Sequence, residues 1–301
     1  MKRIVGVDAD LIVYSVGFVL QKKIDKKEKA DINEAHKIVD TVYRTILRKS
    51  KATHHLGFLT DGPTNFRNKT ATTLKYKGNR DKSKETPLPF KKEILHYLIV
   101  HWGCQLMKGV EADDALTIAG EHFRDDPLVT YILASKDKDL RQWQGDHYDM
   151  NKNLLHHINP VDANFNLWKQ VIMGDMGVDN IPGLSHAAKY QLIGDGDPKV
   201  RPLAEFLYGA SGAAKILNNN PVDTWAAVIL DLYLWHYGQH GDIEDEDFGE
   251  SRFYETFALV YMLLEAPEGL TIHYNPRKCT EKDIRGMEPT IGLGFQVVSD
   301  Y

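Results

Sequence analysis

Short unbroken apolar runs alternate along the chain with longer stretches in which apolar residues recur every three or four positions. Ile4 to Val7, Leu56 to Leu59 and Val129 to Ala134 are short and almost wholly apolar, the pattern of strands buried on both faces of a parallel sheet. Between them, Asn33 to Leu47 carries Ile38, Val42, Tyr43 and Ile46 at helical spacing. Phe90, Ile94, Leu98 and Trp102 line one face of a second helix, and a third begins near Glu111 and continues through Thr117 to Phe123. Strands alternating with helices predict an α/β core, a mostly parallel sheet flanked by helices. Two prolines and many charges between Asp81 and Pro89 mark a connecting segment.

Beyond about residue 170 the strand signals fade. Gly, Pro and Asn punctuate helical stretches at Ala187 to Ile193, Ala213 to Leu217, Asp223 to Tyr237 and Arg252 to Leu264, and the acidic run Gly241 to Glu250 reads as an exposed loop. The pattern therefore divides into an α/β region, residues 1–172, and a helical region, residues 173–301. Neither an internal repeat nor a low-complexity segment is present.

Composition narrows the class. The chain has 301 residues, 43% hydrophobic and 26% charged, as in an ordinary globular protein. Cys104 and Cys279 are its only cysteines, too few for a disulfide framework or a cysteine-rich zinc site. Asp8 and Asp10 break the apolar start, no cleavage pattern follows it, and no run has the length of a membrane span, so a cytoplasmic protein (host cytoplasm if viral) with no membrane partner is expected. Phosphate-cradling glycine motifs and the GxSxG elbow are missing. His236 and His240, four apart, read as a surface pair, since no acid completes an HExxH pattern.

The net charge of −5 hides a basic segment. Arg67, Lys69, Lys75, Lys77, Arg80, Lys82, Lys84, Lys91 and Lys92 are opposed only by Asp81 and Glu85. Charge alone fits a solvated loop as well as a phosphate-facing element.

Position singles out the acids. Strand-like runs lead into Asp8, into Asp61, into Glu111, Asp113 and Asp114, and into Asp137 and Asp139. In an open parallel sheet, the loops at the carboxyl ends of the strands meet in one crevice. Crowded carboxylates raise one another's pKa or recruit a cation. Oxygen donors without His or Cys favour magnesium or manganese, and two such ions about 3.5–4 Å apart suit in-line attack at phosphorus. Each acid also has a plain structural reading: Glu111, Asp113 and Asp114 at a helix start, Asp61 before Gly62-Pro63 in a turn, and Asp137 and Asp139 as solvated charges. In Tyr76-Lys77-Gly78-Asn79-Arg80 a helical turn would put Lys77 and Arg80 on one side to hold a phosphate, with Tyr76 stacking on a base.

The order FLTDG, FR, YKGNR, VEADD, SKDKDL and GD…DNIPG over residues 4–183 resembles the 5′-nuclease superfamily, which holds flap endonucleases and 5′–3′ exonucleases, including stand-alone bacteriophage enzymes. The resemblance implies a PIN-like 5′-nuclease core with a helical arch at about 66–105 and a C-terminal helical DNA-binding region containing a helix–turn–helix-like motif. It implies metal-dependent hydrolysis of phosphodiesters near DNA 5′ ends, flaps or nicks, with RNA–DNA hybrids as a further substrate class and replication proteins as partners. Two or more Mg²⁺ ions would act, Mn²⁺ substituting. Asp8, Asp61, Glu111, Asp113 and Asp114 match the first metal cluster, Asp137 and Asp139 the second block, and Asp175 and Asp179 the last pair. Lys77 and Arg80 match the catalytic basic residues of the arch, and Arg67 the Arg of the Phe-Arg block. Asp10 has no counterpart and reads as structural.

Two departures stand out. The family spaces its last two aspartates by two residues, whereas Met176, Gly177 and Val178 make three here, a change of roughly 100° on a helix. Leu184 to Lys189 lacks the family's Gly-x-Gly, which leaves its potassium ion open. The better match is Gly209 to Leu217, with Gly209, Ser211, Gly212 and Lys215 placed to meet DNA phosphate. A PIN-type ribonuclease and a non-catalytic DNA-binding descendant of a nuclease are the rival readings.

Overall fold

In the computed structural model, which describes residues 1–80, 88–184, 208–237, 239–240, 243–244 and 246–285, two compact units are distinguished. The first comprises Met1–Asn65, Thr86–Ile158 and Met262–Tyr301; the second comprises Phe66–Glu85 and Asn159–Tyr261. The helix expected at Ala187 to Ile193, the glycine-poor block after Leu184 and most of the Asp81 to Pro89 connection lie outside the described residues.

The first unit is built on a seven-stranded sheet. β1 (Lys2–Asp8) lies between β2 (His54–Thr60) and β4 (Val129–Ser135), parallel to both. Beyond β2 come parallel β3 (Gln105–Met107) and an antiparallel strand, Arg277–Lys278. Beyond β4 come parallel β5 (Gly145–Asp149) and antiparallel β6 (Leu154–Ile158). The three apolar runs are the centres of the three central strands, because strands covered on both faces favour near-continuous apolar sequence. α1 (Ala9–Asp25), α2 (Ile32–Lys49), α4 (Lys91–Val100) and α5 (Ala112–Arg124) cover the sheet, and Val13, Val39, Tyr43, Leu47, Leu98 and Trp102 belong to the core built by α1, α2 and α4. The second half of the expected arch is thus a core helix: Ile94 and Leu98 of α4 are fully buried.

The second unit is mostly helical. It holds the one-turn α3 (Arg67–Thr70), α6 (Pro160–Met173), a short hairpin of β7 (Gly174–Asp175) and β8 (Ile181–Pro182), α7 (Ala210–Asn218), α8 (Trp225–Tyr237) and α9 (Glu246–Val260). Val171, Ile172, Trp225, Ile229, Tyr233 and Phe253 form its core. A Cβ on Gly183 would lie 2.2 Å from the Met173 carbonyl carbon, and Gly174 has φ +63°, so both hairpin ends require glycine. Three expectations change here. Glu246 to Glu250 opens α9 instead of continuing an acidic loop, and that helix ends at Val260, short of Leu264. His236 is buried against the Tyr208 hydroxyl, so it is not a surface residue.

Candidate active site

The carboxylates of the first unit gather where β1, β2 and β4 end. Asp8 closes β1 and also caps α1, its Oδ1 accepting from Leu11 N at 3.3 Å. Because Val7 pairs with Ala134 across the parallel ladder, Ser135 comes next to Asp8, and its hydroxyl donates to Asp8 Oδ2 at 2.9 Å. Asp10, in the first turn of α1, accepts from Thr60 N at 3.1 and 3.2 Å, tying α1 to the end of β2. The Thr60 hydroxyl accepts from Ala112 N at 2.8 Å and so fixes the start of α5, where Glu111, Asp113 and Asp114 lie.

Electrostatics marks the centre of this group. Asp8 is 3% exposed; burial, the Asp10 carboxylate and the Asp137 carboxylate push its pKa from 3.8 to about 7, against hydrogen bonds from Ser135 and Leu11. Asp113 is pushed well above the ordinary range by burial and then by Asp8, Asp137, Glu111 and Asp114. Asp8, Asp113 and Asp137 therefore share one field, with Asp10, Glu111 and Asp114 around them. Asp137 is exposed, its Oδ1 accepting from Asp139 N at 2.9 Å, while Asp139 is half-buried at the start of a one-turn helix, Asp139–Gln142. Asp61 is half-buried after β2, and its side chain makes no cap hydrogen bond to the turn that follows.

Asp114 has a different setting. It is fully buried, with Oδ2 accepting from Glu111 N and Oδ1 from Leu263 N, each at 3.2 Å. Among the described residues, no three His, Cys, Asp or Glu side chains close on one ion-sized point. The donor chemistry nonetheless fits a hard divalent cation: acidic oxygens, two of them desolvated and repelling one another.

In the second unit the basic block is a turn, not a helix. Lys77 has φ +55°, a left-handed conformation, and Arg80 N donates to Lys77 O at 3.2 Å. Lys77 and Arg80 still come together, on Asp179: Arg80 Nη2 lies 2.9 Å and Lys77 Nζ 3.8 Å from its Oδ1. Tyr76, expected to stack on a base, is 4% exposed and donates to Asp179 Oδ2 at 3.3 Å. Asp175 Oδ1 accepts from Val178 N at 3.0 Å. Glu255, which nothing in the sequence singles out, anchors the start of this segment. It accepts from Thr72 N and Thr73 N at 2.8 and 2.9 Å, takes both threonine hydroxyls, and pairs with Arg252.

Arg67, expected to meet DNA, is buried instead. Its Nε donates to Leu259 O at 2.9 Å and its Nη2 to Tyr261 O at 2.8 Å, satisfying carbonyls left open at the end of α9. Arg67→Ala is therefore expected to destabilise the protein by about 3 kcal/mol, the scale of buried hydrogen bonds to a charged group. Urea unfolding measures this, and an unshifted midpoint would refute the anchoring role. At the start of α7, Gly209, Ser211 and Lys215 are exposed and Gly212 half-buried; a one-turn helix, Val222–Thr224, joins α7 to α8.

A mostly parallel sheet flanked by helices, with acids collected at its strand ends, is the architecture of a resolvase-like, PIN-like nuclease domain. Residues 3–166 match the family "5′-3′ exonuclease, N-terminal resolvase-like domain", and the chain belongs to that family. Its fold is similar to that of a bacteriophage T5 protein co-crystallized with metal ions, at 18% identity over 86% of this chain and 89% of that one, with a TM-score of 0.53. It is likewise similar to T5 5′-exonuclease with divalent metal ions (zinc) bound, at 17% identity, the same coverage and a TM-score of 0.53. A mutant of T5 5′-exonuclease matches at 14% identity over 86% and 88% of the two chains, with a TM-score of 0.51. No curated protein matches the chain significantly.

Among the described residues no helix is long and apolar enough to cross a membrane.

Proposed function

We propose that the chain is a divalent-metal-dependent 5′–3′ exonuclease and flap endonuclease acting on DNA near 5′ ends. The observation that carries this reading is the pair of buried Asp8 and half-buried Asp113, repelling each other and both held above the ordinary carboxylate range beside Asp137. Such a group is costly to keep ionised unless a cation neutralises it. Asp8, Asp113 and Asp137 would hold the metal, with Glu111 beside them and Asp61, at the end of β2, as a further candidate ligand. Bound there, Mg²⁺ or Mn²⁺ would lower the pKa of a water and offset charge on the leaving oxygen. Ser135 and Leu11 N keep the Asp8 carboxylate oriented, while Asp10 holds α1 against β2. Asp114 serves this site from behind by fixing the first turn of α5. Lys77 and Arg80 are assigned to DNA phosphate, and the open start of α7, with Ser211 and Lys215, to the duplex backbone.

Cleavage of 5′-labelled flap, nicked, blunt and RNA–DNA hybrid substrates and of single-stranded RNA, with Mg²⁺, Mn²⁺ or chelator, tests the reading. Expected are short 5′ products with either ion and none with chelator, flaps and nicks being cut faster than single-stranded RNA. Chelator-insensitive cleavage, or binding without cleavage under every metal, would overturn it.

A further inference from the structure

The turn holding Lys77 and Arg80 is docked residue by residue onto the segment between Asp175 and Asn180. Lys77 N donates to Asp179 O at 2.8 Å, and Asn180 Nδ2 to Lys75 O at 2.9 Å. Asn79 Nδ2 donates to Met176 O and Gly177 O at 2.7 and 3.0 Å, and Arg80 Nε to Val178 O at 3.2 Å. The extra residue in this segment makes a tight turn: Asp175 accepts from Val178 N through its side chain and from Asp179 N through its carbonyl, at 3.0 and 3.2 Å. Asp179 comes one position later than a two-residue spacing would place it. Its carboxylate meets the basic turn, taking Arg80 on Oδ1, with Lys77 nearby, and Tyr76 on Oδ2.

We propose that Asp179 is a positioning residue for the phosphate-binding pair, and that it works through Lys77 and Arg80 instead of ligating metal. This rests on the assignment of those two residues to DNA phosphate. Lys77 has a long flexible stem and Arg80 a planar fork; unrestrained, each would meet any phosphate within reach. A carboxylate between them fixes their separation and cancels one of their two positive charges. The pair then offers a net single charge in a set geometry, favouring one phosphate position over diffuse attraction along the backbone. Side-chain exposures of 21% for Asp179, 27% for Lys77 and 42% for Arg80 leave the group reachable from solvent.

A positioning carboxylate and a metal ligand give opposite signatures on neutralisation. Asp179→Asn is measured for affinity to a 5′-labelled flap in EDTA across a salt series, and separately for single-turnover cleavage across a Mg²⁺ series. The inference expects tighter binding at low salt, a log–log salt slope steeper by about one phosphate contact, cleavage slowed roughly tenfold by lost orientation, and an unmoved Mg²⁺ midpoint. A shifted Mg²⁺ midpoint with an unchanged salt slope would assign Asp179 to metal and overturn it. Unchanged slope and midpoint together would overturn it too. Asp179→Glu, which keeps the charge, should retain the wild-type slope, and serves as the informative variant if the Asn protein does not fold. In a background with both Lys77→Gln and Arg80→Gln, where no cation is left for Asp179 to offset, the effect of Asp179→Asn on the slope should largely vanish, since coupled residues are not additive; full additivity would count against the inference. Binding is read without metal, so failure of cleavage by the wild-type protein would refute the nuclease reading while leaving this result legible.

Discussion

Asp113→Asn will reduce Mg²⁺-supported cleavage by on the order of 10³, equivalent to about 4 kcal/mol of transition-state stabilisation. Asp113 is the acid most crowded by its neighbours: Asp8, Asp137, Glu111 and Asp114 all raise its pKa, after burial. Neutralising it removes charge from the place where a cation would gain most. The same change relieves repulsion, so the metal-free variant should melt higher than the wild type while cutting far more slowly. That combination separates a site residue from a structural one, whose loss lowers both. Single-turnover rates on a 5′-labelled flap, with thermal melts in chelator, provide the check. Wild-type turnover, or a lower melting temperature with proportionate loss of activity, would remove Asp113 from the proposed centre.

The second large effect is on stability, and its sign follows from Asp8. Its pKa in the folded protein is about 7 against 3.8 for the free side chain. A carboxyl that holds its proton more tightly when folded stabilises the fold fully below pH 3.8, and this contribution is lost as pH rises toward 7. Asp113 shifts in the same direction. Carboxylates such as Asp31, which is held low by the Glu34 backbone N–H and by Lys29, act oppositely and lose their contribution on acidification. The comparison that isolates the site is therefore Asp8→Asn against wild type. In chelator the variant's advantage in melting temperature should grow from pH 5 to pH 8. A fixed Mg²⁺ concentration, 100 times the dissociation constant at pH 8, should stabilise the wild type by about 2.7 kcal/mol at that pH and by less at pH 5, because binding competes with protons. An equal Mg²⁺ effect on variant and wild type would show that the ion binds elsewhere.

The three central strands could be read from apolar runs, and the acids following them from position alone. What the chain order withholds is adjacency: nothing in Ser135-Lys136-Asp137 says that β4 lies beside β1 and delivers a hydroxyl to Asp8. Asp10, read as structural, does have a structural bond, to Thr60 N, yet its charge also acts on Asp8. α1 escaped the pattern because its apolar residues continue directly from β1, which masks the helical period. β5, GDHYD, carries too few apolar residues to stand out, and in β6, LLHHI, His156 and His157 break the apolar run. Tyr76 and Arg67 show the other limit. An aromatic or an arginine within a basic stretch looks the same in sequence whether it faces a nucleic acid or the core, and here both face the core.

The hydrogen bonds from Leu263 N to Asp114 and from the Thr117 hydroxyl to Leu263 O, at 3.2 and 2.6 Å, give residues past 260 a grip on the helix that presents Asp113. Substitutions around Met262 to Leu264, far along the chain and carrying no chemistry of their own, would tune the enzyme by tilting that first turn. A screen for altered turnover should find hits there.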